Sequence, residues 1–259
     1  MELSGKVAVV TGASKGMGRH FVAALAAQGM RLAALARPSA QLESLAEELG
    51  DKVLIVPCDV ARPKQVNAAI AQVAAAFGRI DLVVNNAAVF FPFEFEKASD
   101  EDVLRHVEIN VLGPVWMIRA AIPHLRATQG QVVTISSESV HDPAPMLALY
   151  AATKAAVEVL SNGLRSELRA DGIRVTVLRS GSVKGGSGGE NWSQEGTQAF
   201  YKKIMETGFA QRTGEAAEPE SMAEALVSVV RLPRDVSVDE ITVRSARTGA
   251  PEGAKAMGT

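Results

Sequence analysis

Val7-Ala8-Val9-Val10-Thr11-Gly12-Ala13-Ser14-Lys15-Gly16-Met17-Gly18 is the stretch on which the reading of this chain turns. Four consecutive apolar residues form a strand buried on both faces, because a half-exposed strand would alternate apolar with polar. Thr11 and Gly12 close that run, and a helical stretch follows from Gly18 to Gln28, stopping at Gly29. Glycine suits the helix C-terminus. Within the turn, glycines permit a tight path and close backbone approach, while the helix start presents unpaired N–H groups to an anion. A glycine-rich turn alone is a weak signal. Set between a buried strand and a helix in the first unit of an α/β chain, it points to a nucleotide phosphate.

The same alternation continues outward from this unit. Arg31–Ala36, Val53–Val56, Leu82–Val84, Val132–Ile135 and Ile173–Leu178 read as further strands. Ala40–Leu49, Lys64–Phe77, Asp100–Arg126 and Leu149–Arg169 read as the helices between them, and Val236–Val243 as a last strand. Strand–helix–strand repeats demand crossovers, so the expected fold is α/β: one doubly wound parallel sheet of about seven strands, helices on both faces. A single domain over residues 1–247 is expected, with a flexible tail over 248–259. Ligands in such sheets bind beyond the carboxyl ends of the strands, so the loops there hold the candidate site.

Composition narrows the function classes. Lys plus Arg number 27 against 29 Asp plus Glu, a net charge of −2, so the basic excess of a nucleic-acid binder is missing. Hydrophobic residues make up 47% of the chain and charged residues 22%, which excludes disorder as the dominant state. The one cysteine, Cys58, cannot form an intrachain disulfide and reads as a small apolar residue beside a strand. Neither a signal peptide nor a bilayer-spanning run is visible, so a cytoplasmic location is expected, with no membrane partner. No metal site is assigned.

The turn is spaced T-G-x-x-x-G-x-G, and in this it resembles the short-chain dehydrogenase/reductase family. The resemblance runs from Val7 to about Arg244. It implies a Rossmann-type domain whose cofactor loop comprises Gly12, Ser14, Lys15, Gly16, Met17 and Gly18. An acidic residue ending the second strand would hold the ribose hydroxyls of NAD, and a basic one the 2′-phosphate of NADP. Ala36 stands there, followed by Arg37, with Lys15 as a second cation. NADP(H) is therefore the expected preference and NAD(H) is not excluded; the bland reading is two solvated surface cations. Asp59-Val60 matches the family's adenine-contacting pair, although an aspartate here can also cap the following turn. Asn85-Asn86-Ala87-Ala88 resembles the family's N-N-A-G, with Asn86 and Ala87 beside the cofactor and Ala88 departing from glycine.

Tyr150 and Lys154, four apart, share one helix face. With Ser137 ending the fifth strand and Asn110 in the preceding helix, they resemble the family's catalytic tetrad residue by residue. Reducing a ketone needs a hydride on carbon and a proton on the developing alkoxide. Tyrosine, with a pKa of about 10, is expected to be brought down by the Lys154 ammonium and a positive nicotinamide. Ser137 would stabilise charge on the substrate oxygen. The resemblance implies that Lys154 also holds the nicotinamide ribose and that Asn110 anchors a proton relay. Ser136 competes for the serine role, but strand alternation points only one of the pair into the site, and spacing favours Ser137. After the sixth strand, Ser180 replaces the family's proline and Gly185 its threonine, leaving Gly181 and the backbone of Val183 to hold the nicotinamide amide.

Phe90, Phe91, Phe93 and Phe95 crowd the loop beyond Asn86. They read either as an aromatic wall for an apolar substrate or as packing against another subunit. Five glycines fall within Gly181–Gly189, and Trp192, Phe200, Tyr201 and Phe209 follow; the stretch at about 181–215 looks like the family's substrate lid. His141-Asp142, near the pocket mouth, reads as a turn rather than a catalytic dyad. The expected function is hydride transfer between NADP(H) and a secondary alcohol or ketone, with an apolar small molecule as substrate. The alternative is a catalytically silent NADP(H)-binding regulatory protein. The resemblance also implies a homodimer or homotetramer, joined through the long helices and the last strand.

Overall fold

The buried run at the start of the chain forms β1 (Val7–Thr11). The repeats that follow add β2 (Arg31–Ala36), β3 (Val53–Pro57), β4 (Leu82–Asn85), β5 (Gln131–Ser137), β6 (Arg174–Ser180) and β7 (Glu240–Val243). In a computed structural model, which describes residues 2–185, 192–209, 212 and 215–246, these strands lie in the order β3-β2-β1-β4-β5-β6-β7. All pairs are parallel. The chain thus starts in the middle of the sheet, builds outward to β3, then returns to the other side of β1. That reversal opens a crevice beyond the carboxyl ends of β1 and β4.

Among the described residues the α-helices with stated bounds are α1 (Gly16–Ala27), α2 (Ala40–Leu49), α3 (Pro63–Phe77), α4 (Asp100–Val107), α5 (Gly113–Thr128), α6 (Ala148–Leu168), α7 (Gln194–Glu206) and α8 (Pro219–Val230). Strand alternation divides the core in two. Ala8, Val10, Leu32 and Ala34 pack beneath Phe21 and Leu25 of α1 and Met222 and Leu226 of α8. Val7, Val9, Ala33 and Leu35 face the other way, onto Val66 and Ile70 of α3 and Met117 and Leu125 of α5.

Two elements differ from expectation. The helix expected over Asp100–Arg126 is α4 and α5 joined through a π turn, Glu108–Leu112. Pro114 has no N–H to give the carbonyl four residues earlier, that of Asn110, so the ladder widens there. The last strand holds Glu240–Val243 rather than Val236–Val243. Side chains take earlier carbonyls, Arg174 donating to Val236 and Thr176 to Val238, while Asp239 O accepts from both Arg165 and the Val177 N–H. The tail over 248–259 lies outside the described residues, as does the part of the glycine run over 186–191.

The crevice is held by a staple between its two sides. The Thr11 hydroxyl accepts from the amides of Asn86 and Ala87, both at 3.0 Å, and donates to Val84 O at 3.3 Å. In return, Asn86 Nδ2 donates to the carbonyls of Thr11 and Gly12 at 3.0 and 3.3 Å. Gly18 is required by packing: a Cβ there would lie 2.1 Å from Gly12 O.

A second device ties the sheet's far half to α6. Buried Glu158 accepts from Ser136 Oγ at 2.6 Å and from both ends of the Arg179 guanidinium at 2.7 and 2.6 Å. Arg179 also reaches Glu240 of β7 at 2.9 Å. Burying two charges is costly unless hydrogen bonds satisfy them, and these do.

Replacing Thr11 by Val keeps the shape but leaves two inward-facing amides without an acceptor. Urea unfolding should show Thr11→Val less stable than the parent by about 2 kcal/mol, whereas Thr11→Ser stays near it.

Candidate active site

The first turn of the first helix brings no anion of its own to the helix end. Lys15, the N-cap of α1, provides no side-chain cap, and the first turn holds no acidic residue. Its N–H groups are therefore available to a phosphate. Arg19 ties this loop to α2, donating to Ser14 O, Gln41 O and Ser44 Oγ at 3.3, 2.7 and 3.0 Å and pairing with Glu48. The crevice is a cleft of about 1520 Å³, larger than the roughly 300–1,000 Å³ of one small-ligand pocket. It has room for a dinucleotide and a second molecule together.

Of the residues expected to hold a cofactor, Gly12, Ser14, Lys15, Met17, Arg37, Asp59, Val60, Asn86, Ala87, Tyr150, Lys154, Gly181 and Val183 all line this cleft. Gly16 and Gly18 do not; they shape the turn from behind, Gly16 with φ +54° and Gly18 by its contact with Gly12. Asn86 is occupied by the staple, so its amide positions the loop. Asp59 Oδ1 accepts from Ala61 N–H at 3.0 Å, the turn-capping role. Ala217 pairs with the flanking groups Ser182 O and Lys184 N–H, which turns the amide and carbonyl of Val183 away from that bridge. This donor set fits a dinucleotide: helix-start amides at one end, free backbone groups of Val183 at the other.

Ser137, Tyr150 and Lys154 meet in the same cleft. Adjacent strand residues divide as alternation requires: Ser136 is turned to Glu158, and Ser137 faces the cleft. Ser137 Oγ accepts from Ser139 N–H at 3.2 Å, which leaves its own hydrogen to donate. Lys154 is buried, and its Nζ donates to Ile135 O at 2.8 Å and lies 5.8 Å from the Tyr150 ring centroid. Burial pulls the ammonium down to about 8, against the attraction of Glu158 one turn along.

The expected lowering counted a positive nicotinamide as well as Lys154; the protein's own groups shift the phenol the other way. Tyr150 is pushed up to about 12 by burial, with only the Ser137 hydrogen bond opposing. The protein's own residues therefore hold Tyr150 as a proton donor.

Asn110 lies in the π turn, buried behind the cleft rather than lining it. Its Oδ1 accepts from Val89 N–H, and its Nδ2 donates to Val89 O, each at 2.8 Å. The second Nδ2 hydrogen goes to Thr153 Oγ at 3.0 Å, and that hydroxyl donates to Tyr150 O at 2.7 Å. Both amide hydrogens are spent. Asn110 thus braces the loop after β4 against the helix bearing Tyr150, a link that Thr153 completes and that sequence reading missed.

An apolar chamber adjoins Tyr150. Ala144, Leu147, Ile204 and Phe209 cluster with Phe90, Tyr150 and Phe200. The ring centroid of Phe90 is 5.3 Å from those of both Tyr150 and Trp192, and Trp192 Nε1 donates to Phe90 O at 2.7 Å. Of the four clustered phenylalanines, Phe90 and Phe91 line the cleft. Phe93 packs on His106, and Phe95 is 72% exposed. Asp142 pairs with Arg212 at 3.0 Å, tying the segment beyond α7 to the loop after β5. Cys58, although it lines the cleft, has its thiol pushed up to about 11 by burial and is a poor nucleophile.

The chain is similar to known proteins along most of its length. The family model described as short chain dehydrogenase matches residues 6–196. An uncharacterised oxidoreductase of Staphylococcus haemolyticus is 32% identical over 245 residues, covering 94% of this chain and 98% of that one. An alcohol dehydrogenase from the archaeon Thermococcus sibiricus, solved with 5-hydroxy-NADP, superimposes with a TM-score of 0.78 at 31% identity, over 93% of this chain and 97% of that one. The 3-ketoacyl-(acyl-carrier-protein) reductase of Brucella melitensis, solved with NADH, does so with a TM-score of 0.81 at 28% identity, over 95% and 99%. The chain belongs to the short-chain dehydrogenase/reductase family and is an NAD(P)-dependent oxidoreductase.

Proposed function

We propose that this enzyme is an NADP(H)-preferring reductase of apolar ketones, able to run in reverse on secondary alcohols. The observation that carries the reading is Tyr150, held protonated at the mouth of an aromatic chamber in the cleft that Ser137 also lines. Bound in the cleft, NADP(H) supplies or takes up the hydride at the carbinol carbon. Ser137 donates to the substrate oxygen and stabilises the negative charge that builds there. Tyr150 then delivers its phenolic proton to that oxygen, and the Lys154 ammonium offsets the charge left on the phenolate. Phe90, Leu147, Trp192 and Phe200 would take the apolar part of the substrate and exclude water from the reacting carbon.

Preference for NADP(H) rests on Arg37 and Lys15, which line the cleft beyond β2 with Ser39 and Gln41. The 2′-phosphate carries roughly −1.5 to −2 charges, which two cations suit. Assembly as a homodimer or homotetramer in the cytoplasm belongs to the same reading. Supporting it are apolar side chains on the outer helices, Leu104 at 60% and Val159 at 70% exposure.

Consumption of NADPH and of NADH should be compared against a panel of ketones, aldehydes and quinones. Turnover of apolar ketones with NADPH, and Arg37→Asp cutting the NADPH preference by on the order of tenfold or more, is the expected pattern. A wild-type preference for NADH would make those cations surface charges. Tyr150→Phe should bind NADPH as before, read by quenching of cofactor fluorescence, while turnover falls roughly 10²- to 10⁴-fold. The Lys154 ammonium is present below about pH 8 and lost above it. The reduction rate should therefore fall as pH rises through that value, and a rate that climbs across it would exclude a charged Lys154 from the mechanism.

A further inference from the structure

We propose that His106 is the positioning residue of the substrate wall, holding Phe90 and Phe91 in place through a hydrogen bond that a neutral imidazole alone can accept. The inference deepens the reading of the chamber as a ketone site and rests on it. His106 sits in α4, fully buried, outside the catalytic group. Its Nδ1 is 2.8 Å from Asp102 O, which can only accept, so Nδ1 carries the proton. Nε2 is then the acceptor for Phe91 N–H at 3.2 Å. The two partners fix the tautomer between them. Phe91 and Phe93 clasp the ring edge-on, with centroids 5.4 and 5.7 Å away at 90° and 89°.

The stretch Phe90-Phe91-Pro92-Phe93 has no helix or strand of its own. Its position depends on a few anchors: His106, the Phe93 N–H bond to Met146 O, and the Trp192 bond to Phe90 O. Phe90 in turn faces the ring of Tyr150. A change at His106 is therefore transmitted along one residue of chain to the surface that a substrate would touch. Protonation places a second N–H against that of Phe91, so attraction becomes repulsion. Burial moves His106 below the ordinary histidine range, with Asp102 opposing and Arg105 adding to the effect. Those are the charged groups acting on the ring. The facing stretch Phe90–Phe93 carries none; of the elements packed on α4, the π turn carries Glu108 and α6 carries Tyr150, Lys154, Glu158, Arg165 and Glu167, and none of these shifts the ring. The wall is thus held at neutral pH and released in acid.

Steady-state kinetics with NADPH and a bulky aryl ketone, from about pH 8 to about pH 5, separate this role from a merely structural one. In the wild-type chain, KM for the ketone should rise on the order of tenfold in acid, while the dissociation constant of NADPH stays level. His106→Gln offers an acceptor that does not titrate, and should remove the acid rise. His106→Leu should show the raised KM at every pH, with kcat for a small aliphatic ketone near the wild-type value. A KM unchanged in His106→Leu, or an acid rise that persists in His106→Gln, overturns the proposal. Should both variants fail to fold, or should the wild-type chain reduce no ketone, Trp192 fluorescence in a Trp116→Phe background gives a readout independent of turnover. An acid transition in that emission, with far-ultraviolet circular dichroism unchanged, is expected; flat emission sinks the role of His106 whatever becomes of the ketone reading.

Discussion

The staple between Thr11 and Asn86 is the contact on which the rest of the site depends. A parallel sheet that reverses direction leaves two adjacent strand ends whose loops diverge, one above each face, with nothing in the sheet ladder to hold them at a set distance. Here one hydroxyl takes two amides from the far side, and one carboxamide returns two bonds to the near side. The glycine turn is thereby held with its helix-start amides facing the cleft. Gly12 and Gly18 let the two backbones approach to a separation that any side chain would prevent.

From that fixed edge, side chains rather than backbone carry the order outward. Asn110 braces the loop after β4 against α6 through Thr153, and the π turn that presents Asn110 follows from the missing N–H of Pro114. On the opposite side, Glu158 and Arg179 lock α6 to β5, β6 and β7 one turn beyond Lys154. Tyr150 and Lys154 are therefore held from both directions in a site dry enough to raise the phenol and lower the ammonium. The two shifts bring a donor that stays protonated beside a cation near its own midpoint.

Much of this was legible from residue order. Buried strands announce themselves as continuous apolar runs, and the turn after β1 can bind an anion because a helix start must. The pair Tyr150 and Lys154 is visible because four residues is one helical turn, and Ser137 is separated from Ser136 by the two-residue period of a strand. These are local rules, and local rules are what a sequence states directly.

What only the tertiary structure decided are quantities set by burial and by contacts between distant segments. The direction of the Tyr150 shift depends on how much water α6, the loop after β4 and α7 exclude, and no local pattern records that sum. A lone histidine in an amphipathic helix looks like any other, so His106 came to notice through its contacts with Phe91 and Phe93. Asp142 found Arg212, seventy residues away, rather than neighbouring His141, and the carbonyls of Val236 and Val238 went to side chains rather than to a strand. By itself the sequence determined which elements form and which chemical groups stand at their ends. The folded chain decided which of those groups meet, how dry their surroundings are, and hence what charge each carries, because solvation and long-range contact exist only once the sheet has closed around them.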